Sequence, residues 1–404
     1  MSDTARFDLY DRYETIFEGI EPPFAFVDLD ALASNANSML ERGSPKPIRV
    51  ASKSVRCREV LSLVASHDER YRGILCFTIP EALMLARAGS RDLFVGYPSV
   101  DRRAISELAD LAAEEPDAAP TLVVDDVAQL DVIEGAVGRG PTPIRVAIDI
   151  DVGYHAMRGT VQIGPKRSPV RTPAQARKLA EEIDSRPGIE LDGLLAYEGQ
   201  VAGVADAAPG HALRNLGIRR MQAASMAEIR ERRAAVVAAV ARVSPLRFVN
   251  GGGTGSLELT ATEDAVTELA AGSGFYAPAL FDDYSRFSLT PAAGFVLPIV
   301  RRAAAGVATA LGGGYVASGA PGPDRLPKPW LPAGLHLDRH EGAGEVQTPV
   351  LGQEAVNLRV GKHVYLRHAK AGELCEHFNE LHLVRGEEIV SIAPTYRGEG
   401  YAFI

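Results

Sequence analysis

What most constrains this chain is a repeated alternation. Between residues 23 and 285, short apolar runs of strand type alternate with amphipathic stretches of helical period. The predicted strands are 24–27, 48–50, 73–77, 93–95, 121–124, 144–150, 191–197 and 248–249. Helices are predicted over 29–42, 55–66, 79–88, 102–113, 127–136, 174–185 and 214–242, with Asp28 or Asp30 capping the first. These make about eight strand–helix units in roughly 260 residues, the count and length of a closed parallel (β/α)8 barrel. An open doubly wound sheet competes with it, but that fold carries its glycine fingerprint in the first strand–helix turn. Here the glycine cluster, Gly251-Gly-Gly253, follows the last predicted strand.

After residue 286 the pattern changes to short strands punctuated by glycine, proline and charge, at 295–301, 306–311, 346–350, 363–366, 381–384 and 388–392. The expected organisation is therefore a TIM barrel over residues 1–285 and a small β domain over 286–404, with the first twenty or so residues packing on the latter. The glycine- and proline-rich stretch 313–332 reads as a long loop, a kind of segment that is often functional.

The net charge of −9 argues against nucleic acid or an anionic membrane as the main partner, though a local basic pocket for a small anion remains compatible with it. No apolar run reaches the length needed to span a membrane. Three cysteines in 404 residues make no disulfide framework and suit a reducing cytosol, and the first residues lack the pattern of a signal peptide, so a cytoplasmic location is expected.

Four stretches carry chemistry. In Arg49-Val-Ala-Ser-Lys53-Ser-Val-Arg56 a lysine follows a short strand with two arginines nearby. Neighbouring cations and burial both disfavour an ammonium ion, and a neutral amine is what an aldehyde cofactor needs to form a Schiff base. In Asn250-Gly-Gly-Gly-Thr254-Gly255, with Gly272-Ser273-Gly274 about twenty residues on, glycines let backbone amides approach an anion and hydroxyls add donors. Two such loops at neighbouring strand ends of a barrel can clamp one phosphate from both sides, the alternative being two ordinary tight turns. Arg158 and Tyr197 lie beyond two other strands, a position from which a side chain can face a barrel mouth or pack on its rim. In the β domain, His368, Lys370, Cys375 and His377 lie within ten residues, and His368, Cys375 and His377 have spacings compatible with zinc.

Taken together, these segments resemble the fold-type III pyridoxal-phosphate enzymes, specifically the D-threonine aldolase and D-serine dehydratase group of the alanine racemase superfamily. The resemblance covers about residues 22–390. It rests on Pro23 to Leu32 with Asn35, Arg49-x-x-x-Lys53, Gly73 to Pro98, Asp151-Val-Gly153 with Arg158, Tyr197-Glu-Gly199, Gly251 to Gly255 and Gly274-x-Tyr276, all in the family's order. It implies that Lys53 is the Schiff-base residue of pyridoxal 5'-phosphate. It also implies that Arg158, Tyr197, Gly252, Gly253, Thr254, Gly255, Ser273, Gly274 and Tyr276 hold the cofactor. A homodimer acting on a small amino acid is expected by the same analogy.

The departures bear on the reaction. In the aldolases the cofactor motif has a histidine where this chain has Ala51. The family's metal pair includes a histidine matched by His368, but its second ligand is replaced by Lys370, and an ammonium ion cannot coordinate a cation. An altered or absent divalent metal site follows, with Lys370 supplying the positive charge or with His368, Cys375 and His377 rebuilding a ligand set. The expected activity is that of a lyase on a β-hydroxy amino acid of D configuration, through retro-aldol cleavage or dehydration, with His368 or Lys370 serving at the hydroxyl. An amino-acid racemase is the alternative, needing a second base such as Tyr284, Tyr315 or Tyr365. A non-catalytic cofactor-binding protein is a third reading, but such proteins are typically a lone barrel.

Overall fold

The computed structural model describes residues 3–138, 142–156 and 160–404. Its first strand, Phe24–Asp28 (β1), is not part of the barrel. The barrel strands are Ile48–Ala51 (β2), Tyr71–Cys76 (β3), Leu93–Val95 (β4), Thr121–Val124 (β5) and Ile144–Asp149 (β6). A small hairpin, Tyr154–Ala156 (β7) and Val161–Ile163 (β8), stands outside the barrel wall. The wall resumes with Ile189–Ala196 (β9), Phe248–Gly251 (β10) and Glu268–Ala271 (β11), and β11 pairs in parallel with β2 to close it. Among the described residues, eight parallel strands thus form the predicted closed barrel.

One expected barrel strand lies elsewhere, and β11 takes its place. The run 24–27, expected in the barrel, lies in the second sheet, antiparallel to Ala293–Ala304 (β12) and parallel to Glu380–Arg385 (β18). A short apolar run cannot distinguish a barrel strand from the central strand of another sheet, because both bury two faces. Ala25 and Val27 face the main core, whereas Phe24 and Phe26 enter an aromatic cluster with Tyr13, Phe17, Trp330 and Tyr365. The true eighth strand begins with Glu268, whose carboxylate masks it as surface sequence.

That carboxylate belongs to an ionic layer at the N-terminal ends of the barrel strands. Arg49 bonds Glu268 at 2.7 Å and Asp92 at 3.1 Å, and Arg247 bridges Asp92 at 2.8 Å and Asp192 at 2.7 Å. Above it Phe94, Val123, Ala147, Leu195 and Phe248 fill the interior with apolar side chains. The barrel is therefore closed below, and chemistry is confined to its C-terminal mouth.

The remaining strands are Val307–Leu311 (β13), Lys328–Leu331 (β14), Leu335–Leu337 (β15), Gln347–Gly352 (β16), His363–Arg367 (β17) and Glu388–Pro394 (β19). They join β1, β12 and β18 in a nine-stranded sheet. The helix Asp3–Ile16 seats on it. Glu14 accepts from Tyr365 at 2.9 Å, and Asp28 accepts from Arg12 and Tyr13 at 2.8 and 3.0 Å. Asp28 also caps the helix Leu29–Gly43 through the amides of Asp30 and Ala31, a bond typically contributing about 1 kcal/mol. The predicted loop 313–332 is irregular at first. It then forms a 3-10 turn at Pro323–Arg325 and the strand β14.

Candidate active site

Lys53 occupies a 3-10 turn, Ser52–Ser54, directly after β2 at the barrel mouth. Its Nζ donates to Tyr97 Oη at 2.7 Å, a residue two positions past β4. The surroundings differ from those expected. The Lys53 side chain is exposed, and neither arginine stands free beside it. Arg49 is committed to the carboxylates of the lower layer, while Arg56 pairs with Glu376 and donates to the Lys53 carbonyl. The turn is held from the second sheet by Gly372, at φ +88°, whose backbone lies so close to the Lys53 carbonyl that any Cβ there would overlap it.

The two glycine loops follow β10 and β11, which are hydrogen-bonded neighbours, so they converge as predicted. Gly274 N donates to Thr254 Oγ1 at 3.1 Å and thereby joins them. The Thr254 hydroxyl keeps its own proton to donate. A Cβ on Gly253 would lie 2.8 Å from Ala202 Cβ and 3.0 Å from the Tyr197 ring. A Cβ on Gly255 would meet Ala202 O and the Tyr284 ring, so these positions form a cradle only without side chains. Ser273 Oγ lies 3.1 Å from Ser54 Oγ and connects the second loop to the lysine turn. Tyr276 is fully buried, and its hydroxyl donates to Val55 O at 3.0 Å, so it braces the lysine turn from behind.

Arg158 lies outside the described residues. Arg167 was not singled out by sequence, yet its guanidinium stands 5.8 Å from the centroid of the Tyr97 ring and 5.5 Å from that of Tyr197. Burial pushes the Tyr197 phenol up to about 12, so it stays protonated, against the opposing pull of Arg167. At the end of β6, burial and the charge of Asp125 push Asp149 up to about 7. Tyr97 was legible as part of the Gly73 to Pro98 stretch and as a residue past a barrel strand, the position from which such barrels draw their functional side chains.

Glu81 lies beneath the lysine turn, fully buried, and accepts from Phe77 N at 2.8 Å and Tyr396 Oη at 2.9 Å. Burial raises its carboxyl from an ordinary value of 4.5 to about 7. The folded state therefore holds this proton more tightly than the unfolded chain. The associated stability is fully present below about 4.5 and is lost as pH rises through about 7. Glu81→Gln is expected to remove this dependence, gaining on the native chain by roughly 3 kcal/mol between pH 4.5 and 8. Urea denaturation at both pH values checks it; parallel losses in the two proteins would refute the assignment.

The β-domain residues do not gather as a metal centre. Residues 373–376 form a 3-10 turn. Cys375 Sγ donates to Val55 O at 3.2 Å, and His377 stacks on Tyr315 with ring centroids 4.2 Å apart. His368 is buried with both ring nitrogens unpartnered, and burial followed by Arg367 depresses it to about 3, so it is neutral. One neutral imidazole is a metal ligand in kind, but among the described residues no three His, Cys, Asp or Glu side chains are placed to share an ion. The site as built does not fit a metal through His368, Cys375 and His377.

Lys370, by contrast, lines a cavity of about 140 Å³ together with Lys53, Ser54, Arg56, Ser273 and Ser318. Its Nζ donates to Ser318 O at 3.2 Å and Ser318 Oγ at 3.1 Å. Burial lowers its proton affinity, Glu373 raises it, and the charges of Arg325 and Lys53 lower it further. Of the three tyrosines considered as a second base, Tyr284 donates to Ala202 O and Tyr365 to Glu14, while Tyr315 packs against His377.

Residues 27–277 match the family model described as the alanine racemase N-terminal domain. The chain belongs to that family. Its sequence is 27% identical over 262 residues to a D-threonine aldolase of an Arthrobacter species, covering 63% of this chain and 60% of that protein's length. This family member thus spans less than two thirds of that curated relative. Its fold is similar to the crystal structure of D-threonine aldolase from Filomicrobium marinum, with a TM-score of 0.78, 21% identity, and 94% and 96% of the two chains covered. It is also similar to D-threo-3-hydroxyaspartate dehydratase from Delftia sp. HT23, with a TM-score of 0.72, 18% identity, and 94% and 98% covered. Both likenesses show a shared architecture of barrel and C-terminal sheet. Among the described residues, no helix is long and apolar enough to cross a membrane.

Proposed function

We propose that this chain is a pyridoxal-phosphate-dependent lyase acting on a β-hydroxy amino acid of D configuration, by retro-aldol cleavage or dehydration. The observation that carries the reading is the contiguity of Lys53 with the two glycine loops through the Ser54–Ser273 contact. Aldolase and dehydratase names among its relatives support the reaction class. Lys53 would hold the cofactor covalently. Gly252, Gly253, Thr254, Gly255, Ser273 and Gly274 would receive its phosphate, in a cradle that side chains would fill. When bound, pyridoxal phosphate supplies an electron sink for negative charge at the substrate's α-carbon.

The chain's own groups then divide the work. Tyr97 orients Lys53 Nζ, and Arg167 steadies the Tyr97 and Tyr197 rings. Lys53 Nζ would serve at the α-carbon, taking its proton in dehydration and returning a proton to it after retro-aldol cleavage. With Ala51 offering no side chain to the β-hydroxyl, Lys370 Nζ is the group of the second sheet at the same cavity. As an amine it takes the hydroxyl proton, leading to glycine and an aldehyde. As an ammonium it gives a proton to the departing oxygen, leading to a keto acid and ammonia. His368 does not line that cavity, so its expected part passes to Lys370. A homodimer and a cytoplasmic setting are part of this reading, the latter supported by three buried, unpaired cysteines.

Incubating the cofactor-loaded protein with D- and L-β-hydroxy amino acids tests the reading by three products at once. Aldehyde or ammonia from D substrates is expected. Mirror-image product alone would replace the lyase with a racemase, and none of the three would overturn the proposal.

A further inference from the structure

A second cavity, of about 280 Å³, lies behind one wall of the Lys53 cavity. The wall is the segment 278–283, a proline followed by the 3-10 turn Ala279–Asp283, and its Phe281 lines both cavities. The end of β17 and the residues after it hold this wall in place. Ala279 N donates to His368 O at 3.0 Å, Leu280 N to Ala369 O at 3.2 Å, and Arg367 Nη2 to Ala277 O at 2.9 Å. The stretch 367–370 therefore serves two chambers, with Arg367 lining the second and Lys370 the first.

The second chamber carries a surplus of positive charge. Among the described residues that line it, Arg6, Lys328 and Arg367 are cationic, and Asp282 is the one anion. That carboxylate is already shared, by Arg367 Nη1 at 2.8 Å and Lys328 Nζ at 2.6 Å. Arg6, from the helix Asp3–Ile16, stands 3.8 Å from Asp3, a loose pair whose carboxylate is exposed. Burial lowers the proton affinity of Arg367, Asp282 raises it, and the charge of Arg6 lowers it again. Three cations around one carboxylate repel one another, and an incoming anion relieves the repulsion.

The remaining lining selects among anions. Phe281, Phe287 and Trp330 give the chamber aromatic walls, which take up a flat apolar body. Its volume is close to the about 300 Å³ at which pockets begin to hold small organic ligands. The planar fork of Arg6 matches a carboxylate, and Lys328 adds a point charge.

We propose that this cavity is a second ligand site, for a small organic carboxylate with a flat apolar body, held by Arg6 and Lys328 and separated from the Lys53 cavity by the 278–283 wall. The site goes beyond the lyase reading and does not depend on it.

Trp330 reports on the site directly, because it lines the cavity and is the single tryptophan of the chain. The probe is para-nitrobenzoate, an aromatic carboxylate whose nitro group quenches indole emission. It is titrated into the cofactor-loaded protein, with fluorescence and calorimetry read together. Saturable quenching with a matching heat is expected. The uncharged para-nitrobenzamide should bind about tenfold or more weakly, the factor carried by one charge-assisted pair. Lys328→Gln should weaken the carboxylate about threefold, and Arg6→Glu, which reverses a charge, about tenfold or more. Both side chains are partly exposed, so the variants should keep the native melting temperature. Lys370→Gln, at the other cavity, should bind the probe as the native chain does. Quenching that does not saturate, equal binding of the amide, or native affinity in Arg6→Glu would overturn the site. Loss of binding in Lys370→Gln would also overturn it, by placing the probe in the Lys53 cavity.

Discussion

Lys53→Ala is expected to abolish the visible absorption of the cofactor-loaded protein and to lower turnover by a factor on the order of 10³ or more, since one group is both tether and proton carrier. The loops would still receive phosphate, because Thr254, Gly274 and Ser273 hold their arrangement through bonds that do not involve the Lys53 side chain. The variant should therefore retain cofactor more weakly and without the covalent band. Borohydride reduction of the native protein followed by peptide mass analysis should find the cofactor on the peptide containing Lys53. The competing amine is Lys370, which shares the cavity. A label on Lys370, or an unchanged spectrum in Lys53→Ala, would refute the assignment.

Much of this site was legible because its chemistry is written in local sequence. A lysine after a strand and glycine runs after two others keep their meaning wherever the barrel places them, and the closed barrel brought them together. The less legible parts depend on long-range pairing. Glu268 reads as surface but is the inner end of a barrel strand, since its partner Arg49 lies 219 residues away in sequence. Tyr97 and Arg167 acquire their roles only when separate loops converge on Lys53 and Tyr197. The trio of His368, Cys375 and His377 looked like ligands because their spacing along the chain is compatible with zinc. A 3-10 turn at 373–376 rotates the spacing and sends Cys375 inward to Val55. Lys370 survived that rearrangement because it precedes the turn and is tied to Ser318.

The second large effect concerns the support of the first glycine loop. Glu198→Ala is expected to destabilise the fold by about 3–5 kcal/mol, because four donors, those of Arg233, Gly252, Ser256 and Thr260, lose a buried acceptor at about 1 kcal/mol or more each. Glu198 follows Tyr197 at the end of β9 and is fully buried. Its Oε2 accepts from Arg233 at 2.7 Å and Gly252 N at 3.3 Å, and its Oε1 accepts from Ser256 Oγ at 2.8 Å and from Thr260. One carboxylate thus joins the helix Ala212–Val240 to the start of the glycine loop. Arg233 also faces Glu263 at 3.0 Å, with both side chains about 1% exposed. The two single removals therefore differ in kind. Without Glu198, Arg233 retains Glu263 as counter-ion, and the loss is shared with the loop, so phosphate affinity should fall with stability. Without Arg233, two buried carboxyls face one another, and burial already raises that of Glu263. Arg233→Met should then be least stable at high pH, because burial holds the Glu263 carboxyl above its ordinary value and its proton is lost as pH rises. Denaturant midpoints of both variants at pH 5 and 8, with phosphate binding to Glu198→Ala, measure these effects. A Glu198→Ala protein with native stability and native phosphate affinity would show that the cradle stands without this carboxylate.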